Sequence, residues 1–80
     1  MKEREKKILD FIIEKERVSL KELLEEFNIS KRTLYYDIKS VNYELAGIGR
    51  IENLDHKFTY SGSLTSLLSE DLRNKDKFIL

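Results

Sequence analysis

Apolar residues recur at helical spacing through the first half of the chain and predict a series of short helices. Between Lys2 and Glu16 they share one side, as in an amphipathic helix. Val18 is predicted to lie in a short gap. A second helix of about two turns starts at Leu20, because Ser19 and Glu22 stand at the N-cap and N3 positions of a capping box.

A third helix is predicted to follow the second within a few residues. Asn28 tolerates the left-handed conformation that ends many helices, and Ser30 is an N-cap candidate. Gly47 is a stop signal, which gives a helix of some 15 residues. Its apolar stripe, spaced by four, three and four residues, consists of Leu34, Ile38, Val41 and Leu45.

Beyond Gly47 the pattern changes from helical to alternating. Two segments, 50–54 and 57–61, alternate polar and apolar residues and predict a two-stranded hairpin with Ile51, Phe58 and Tyr60 facing inward. The turn near Asp55 has no Asn-Gly or Asp-Gly pair, so the register and the loop length stay open. The expected fold class is mainly α with a small β-hairpin.

The last part of the chain is predicted to lie outside this first unit. Leucines at positions 64, 67, 68 and 72 are compatible with a fourth amphipathic helix, and the polar run 73–77 resembles a linker. The apolar end 78–80 favours either a domain taken from a longer protein or an apolar segment that needs a partner. We therefore expect a domain at 1–62 and a helix and linker at 63–80 that lead to a downstream region.

Composition removes several classes of function. The 80 residues include no cysteine and one histidine, so disulfides, thiolate metal sites and a thiol nucleophile are excluded. Paired carboxylates, a nucleophile with its base and a glycine-rich phosphate loop are all missing from the sequence pattern, which argues against an enzyme and predicts no catalytic, cofactor or metal residues. The longest apolar run has three residues, so we expect a cytoplasmic protein without a membrane span. A chain of 80 residues is too short to enclose a large cleft, so no small-molecule site is expected in it.

The net charge of zero argues at first against a nucleic-acid partner. Fifteen Lys and Arg balance fifteen Asp and Glu. By segment, however, residues 1–29 carry 7 basic and 8 acidic side chains, residues 30–50 carry 4 and 2, and residues 51–80 carry 4 and 5. The only net-positive segment contains the third helix, so neutrality is compatible with weak DNA binding.

Two helices joined by a turn of about three residues form a helix-turn-helix arrangement, in which the second helix reads DNA. Phosphate contacts are expected from Lys31, Lys39, Arg50 and Lys57, and base reading from Arg32, Tyr35 and Tyr36. Of the two tyrosines, Tyr36 is expected to be the more exposed. Asp37 is expected to pair with a basic neighbour that positions the helix. The full predicted DNA-binding set is Ser30, Lys31, Arg32, Thr33, Tyr35, Tyr36, Lys39, Arg50 and Lys57.

The sequence Ser30-x-Arg-Thr-Leu-x-x-Asp-Ile38, followed by Val41-Asn42, carries a family resemblance. Roughly residues 5–60 resemble the N-terminal winged helix-turn-helix of bacterial PRD-containing regulators of the BglG, MtlR and LicR type and of the related Mga group. The resemblance implies a three-helix core plus a wing, with Ser30 capping the reading helix. It also implies a transcription regulator of a sugar-uptake or metabolic operon, with phosphorylatable domains further along the chain.

The partners expected from this reading are double-stranded DNA and, in the full-length protein, a second copy of the chain. A winged-helix module that binds protein rather than DNA is the alternative, because neutral charge and exposed tyrosines would suit it.

Overall fold

Serine caps start two of the helices, and a left-handed asparagine ends the first of these two. The computed structural model describes residues 1–63, and the fourth helix, linker and apolar end expected after Ser63 lie outside the described residues. Within residues 1–63 there are three helices and three strands: α1 Glu3–Lys15, β1 Val18–Ser19, α2 Leu20–Phe27, α3 Lys31–Glu44, β2 Gly49–Leu54 and β3 Lys57–Gly62.

The turn between α2 and α3 is built as its sequence predicts. Ser19 accepts a hydrogen bond from the Glu22 backbone N–H at 3.1 Å and so caps α2. Asn28 ends α2 with a left-handed φ of 50°. Two residues later Ser30 caps α3 by accepting from the Thr33 N–H at 3.1 Å.

The hairpin prediction is confirmed, but the expectation of a mere gap at Val18 is wrong. Val18 and Ser19 form a short strand that pairs antiparallel with β3, which gives a sheet of order β1-β3-β2. Two residues are too few to show an alternating pattern, so the sequence carries no signal for this strand.

The hairpin turn is tight although it contains no glycine. Asp55 and His56 connect paired residues Leu54 and Lys57, and both have positive φ values, 52° and 63°. Positive φ at both central residues is the geometry of a type I′ turn, whose twist matches that of the strands. Asp is among the residues that tolerate it.

The core lies between the three helices and one face of the sheet. The third helix contributes its whole predicted stripe to it. Of the three residues predicted to face inward, Ile51 and Phe58 are buried at 3% and 2% exposure, and Tyr60 is partly buried against the core. The buried apolar residues are Ile8, Leu9, Ile12, Val18, Leu23, Leu34, Ile38, Val41, Leu45, Ile51 and Phe58. Three helices followed by a β-hairpin wing make this a winged helix-turn-helix fold. In residues 1–63 no helix is long and apolar enough to cross a membrane.

Candidate nucleic-acid interface

The N-terminus of α3 is held by its own side chains. The Ser30 hydroxyl accepts from the Thr33 N–H and donates to Thr33 Oγ1 at 3.0 Å. These two residues of the predicted DNA-binding set therefore define where the helix begins. The first turn of α3 contains no acidic residue, and the helix dipole places partial positive charge at this end.

One flank of α3 is bonded to the start of α1. Arg4 donates from Nε to Asp37 Oδ2 at 2.6 Å and from Nη2 to Asp37 Oδ1 at 3.1 Å, and Asp37 is only 5% exposed. The hydrogen bond to Asp37 and the charge of that carboxylate raise the pKa of Arg4. Seven residues further along α3, Glu44 pairs with the Met1 amine at 3.0 Å. The expectation that Asp37 has a structural ion pair is confirmed.

The opposite flank of α3 is bonded to the wing, again at a spacing of seven residues. The ring of Tyr35 lies 6.1 Å from that of Phe58 in β3, centroid to centroid. Asn42 accepts from the Ile51 N–H at 2.7 Å and donates to the Ile51 carbonyl at 3.1 Å. Both flanks are thus fixed, which sets the rotation of α3 about its own axis.

The side of α3 opposite the core carries exposed basic and aromatic residues that we call the outward stripe: Arg32, Tyr36, Lys39 and Tyr43. At about 100° per residue these four positions fall within an arc of about 60°. Tyr36 is 60% exposed, against 40% for Tyr35, so the expected order of the two is confirmed. Arg32, Tyr35, Tyr36 and Lys39 together line one open depression on the surface.

Aromatic rings lie close to the cations at the start of α3. The Arg32 guanidinium carbon lies 5.6 Å from the centroid of the Tyr36 ring, and Lys31 Nζ lies 6.0 Å from that of Tyr35. Such contacts favour a defined position for flexible side chains while leaving their charge in place. Among residues 1–63 neither cation forms an ion pair, so both charges remain available to an anionic partner.

The two predicted wing cations are both exposed but lie at opposite ends of the hairpin. Arg50 precedes Ile51, which is bonded to the C-terminal half of α3 through Asn42. Lys57 precedes Phe58, which contacts the N-terminal half of α3 through Tyr35. The structure therefore places Lys57, rather than Arg50, at the level of Lys31 and Arg32.

Two residues that organise this surface were not predicted in these roles. Arg4 looked like one of several charges on α1, and its partner is 33 residues away. Asn42 appeared only as part of the resemblance motif. The one available signal was Asp37 itself, because an acid in a basic helix indicates a structural partner without naming it.

Residues 4–52 match a family described as an HTH domain, and the match covers more than half of the chain. The chain therefore belongs to this helix-turn-helix family, whose domains are typically DNA-binding modules without enzymatic activity. Membership suggests DNA binding by a transcription regulator, with DNA as the implied partner. Searches of curated proteins and of solved structures gave no significant match.

Proposed function

We propose that this domain binds duplex DNA sequence-specifically with α3 in the major groove. The observation that carries the proposal is the outward stripe. It presents cations and aromatic rings on the one side of α3 that faces neither the core, nor α1, nor the wing. An α-helix fits the major groove, and a helix fixed on both flanks presents its side chains in a defined orientation.

The residues divide into base-reading and phosphate-binding groups. Arg32, near the N-terminus of α3, can donate two of its guanidinium N–H groups to guanine, and Tyr36 can contact a thymine methyl. Tyr35 contributes its exposed edge beside Phe58. The proposed phosphate contacts come from Lys31, Lys39, Arg50 and Lys57. Ser30 and Thr33 hold the helix N-terminus toward the DNA.

The biological setting belongs to the same proposal. The resemblance at 30–42 supports a bacterial, cytoplasmic regulator of the PRD-containing type that controls a sugar-uptake or metabolic operon. We further propose that 1–62 is the DNA-binding unit, with 63–80 leading to a downstream region. Because the protein has no net charge, a single domain should bind weakly and gain affinity as a homodimer.

The rival function is a protein-binding module, which the exposure of Tyr36 and Tyr43, 60% and 85%, would also suit. Salt distinguishes the two. Four phosphate contacts predict a log–log slope of about −3.6, so affinity for DNA should fall by about 150-fold between about 50 and 200 mM salt. An aromatic protein interface should respond little.

The direct test is fluorescence anisotropy with a labelled duplex obtained by selection from random DNA, using the 80-residue chain. Arg32→Ala should weaken binding to the selected duplex by about 1–3 kcal/mol and relax one base position. Lys39→Gln should reduce the salt slope by about 1 without changing sequence preference. Lys15→Gln is the matched control, because Lys15 lies among Glu22, Glu25 and Glu26 on a different surface. Equal losses for Arg32→Ala on selected and random duplexes would contradict the base-reading role.

A further inference from the structure

Tyr43 is the most exposed large hydrophobic residue in the described part of the chain, at 85%. It lies in the last turn of α3, beyond the depression lined by Arg32, Tyr35, Tyr36 and Lys39. The base and phosphate contacts proposed above do not include Tyr43.

Helix geometry places Tyr43 in line with the proposed reading residues. It follows Arg32 by eleven residues, which corresponds to three turns and an offset of only about 20°. Lys39 precedes it by four residues on the same stripe. The neighbouring acid, Glu44, lies on the flank toward α1, where its carboxylate pairs with the Met1 amine at 3.0 Å, so it does not project from this stripe.

We propose that Tyr43 is a further DNA-binding residue, with its phenol contacting the sugar–phosphate backbone at the edge of the major groove. This inference rests on the proposed function of α3. The partner of the C-terminal end of the outward stripe is then duplex DNA, because the cations on that stripe, Arg32 and Lys39, complement phosphate.

Distance assigns Tyr43 to the backbone rather than to a base. Eleven residues at about 1.5 Å each separate Arg32 and Tyr43 by about 16.5 Å along the helix axis, whereas the major groove is about 12 Å wide. If α3 lies across the groove with Arg32 at the base edges, Tyr43 lies beyond them, at the level of a flanking strand. Its hydroxyl donates a hydrogen bond to a phosphate oxygen, and its ring packs on the adjoining sugar.

The test compares Tyr43→Phe and Tyr43→Ala with the unaltered 80-residue chain, by anisotropy with labelled selected and random duplexes at about 50 mM salt. Tyr43→Phe should weaken binding to both duplexes about equally, by about 5- to 10-fold, and Tyr43→Ala should weaken it further. The salt slope should not change, because a phenol displaces no counterion. This combination differs from Arg32→Ala, which alters sequence preference, and from Lys39→Gln, which alters the slope.

Tyr60→Phe is the matched control. It also deletes one phenol hydroxyl, but that hydroxyl donates to the Ser63 carbonyl at 3.2 Å, away from the outward stripe, so DNA affinity should stay unchanged. Unaltered affinity in both Tyr43 variants would overturn the inference, as would a loss confined to the selected duplex, which would indicate base reading. If the unaltered chain shows no salt-sensitive binding to either duplex, the proposed function itself fails. The inference about Tyr43 fails alone if the unaltered chain binds DNA and the Tyr43 variants bind it equally well.

Discussion

Asn42 offers a sharp test of how the wing is attached to α3. Its side-chain amide accepts from the Ile51 N–H at 2.7 Å and donates to the Ile51 carbonyl at 3.1 Å. In the described sheet β2 is an edge strand, with β3 on one side only. Asn42 therefore pairs two backbone groups on the open side of β2, much as a neighbouring strand would.

Replacing Asn42 by Ala removes both hydrogen bonds at once. Each contributes about 0.5–1.5 kcal/mol net, so the expected loss in the free energy of unfolding is about 1–3 kcal/mol. For a domain of this size the total stability is about 4–12 kcal/mol, and each kcal/mol lowers Tm by about 4–8 °C. Urea unfolding followed by circular dichroism should show a lower midpoint with an unchanged slope.

Asn53→Ala is the control for this measurement. Asn53 lies in the same strand but is exposed, so the same chemical change should alter the free energy of unfolding by no more than about 0.5 kcal/mol. If the two variants lose equal stability, the amide of Asn42 does not fasten the wing. A lower slope for Asn42→Ala alone would also refute the reasoning, because it would indicate a change in the surface exposed on unfolding.

Two further predictions concern the flank of α3 toward α1 and the inner face of the wing. Arg4→Met should lower Tm by several degrees, and by more than Arg4→Lys does, because it leaves the buried Asp37 carboxylate without its cation. Equal Tm values for the two variants in thermal unfolding would contradict this. Burial raises the pKa of Tyr60, so the unfolded chain ionises first as pH rises. The contribution of the neutral phenol to stability is therefore fully present below about pH 10 and decreases above it. Urea unfolding across that pH range should show the free energy of unfolding declining more steeply for the unaltered chain than for Tyr60→Phe.

The helices could be predicted from the sequence because their signals are local. Ser19, Asn28 and Ser30 act on backbone groups within a few residues of themselves, so position along the chain is enough to identify them. The third helix was equally readable, because its core stripe repeats over four positions. This repetition also predicted that Tyr36 is more exposed than Tyr35.

The parts that could not be predicted depend on distant pairings or on weak turn signals. Val18 becomes a strand only because Phe58 lies beside it, 40 positions later in the chain. The tight turn at Asp55 and His56 uses left-handed conformations at two residues without the glycine that normally announces them. The partner of Asp37 had to be one of many cations, and only the packing of α1 on α3 selects Arg4.

The arrangement around α3 explains why a neutral domain can still present a surface suited to DNA. Two of the acids near the reading helix, Asp37 and Glu44, are turned to one flank and paired with α1 and the N-terminal amine. Within the outward stripe the charged residues are therefore all cations, although α3 itself contains both acids. These ion pairs neutralise the two acids near α3, but both acids still count in the net charge of the protein. The net charge therefore underestimates the attraction between DNA and the outward stripe. The same pairing predicts that Asp37→Asn, which frees Arg4 and removes a buried carboxylate, should leave the charge of the outward stripe unchanged. Any change in the salt slope of that variant should then be smaller than the change of about 1 expected for Lys39→Gln.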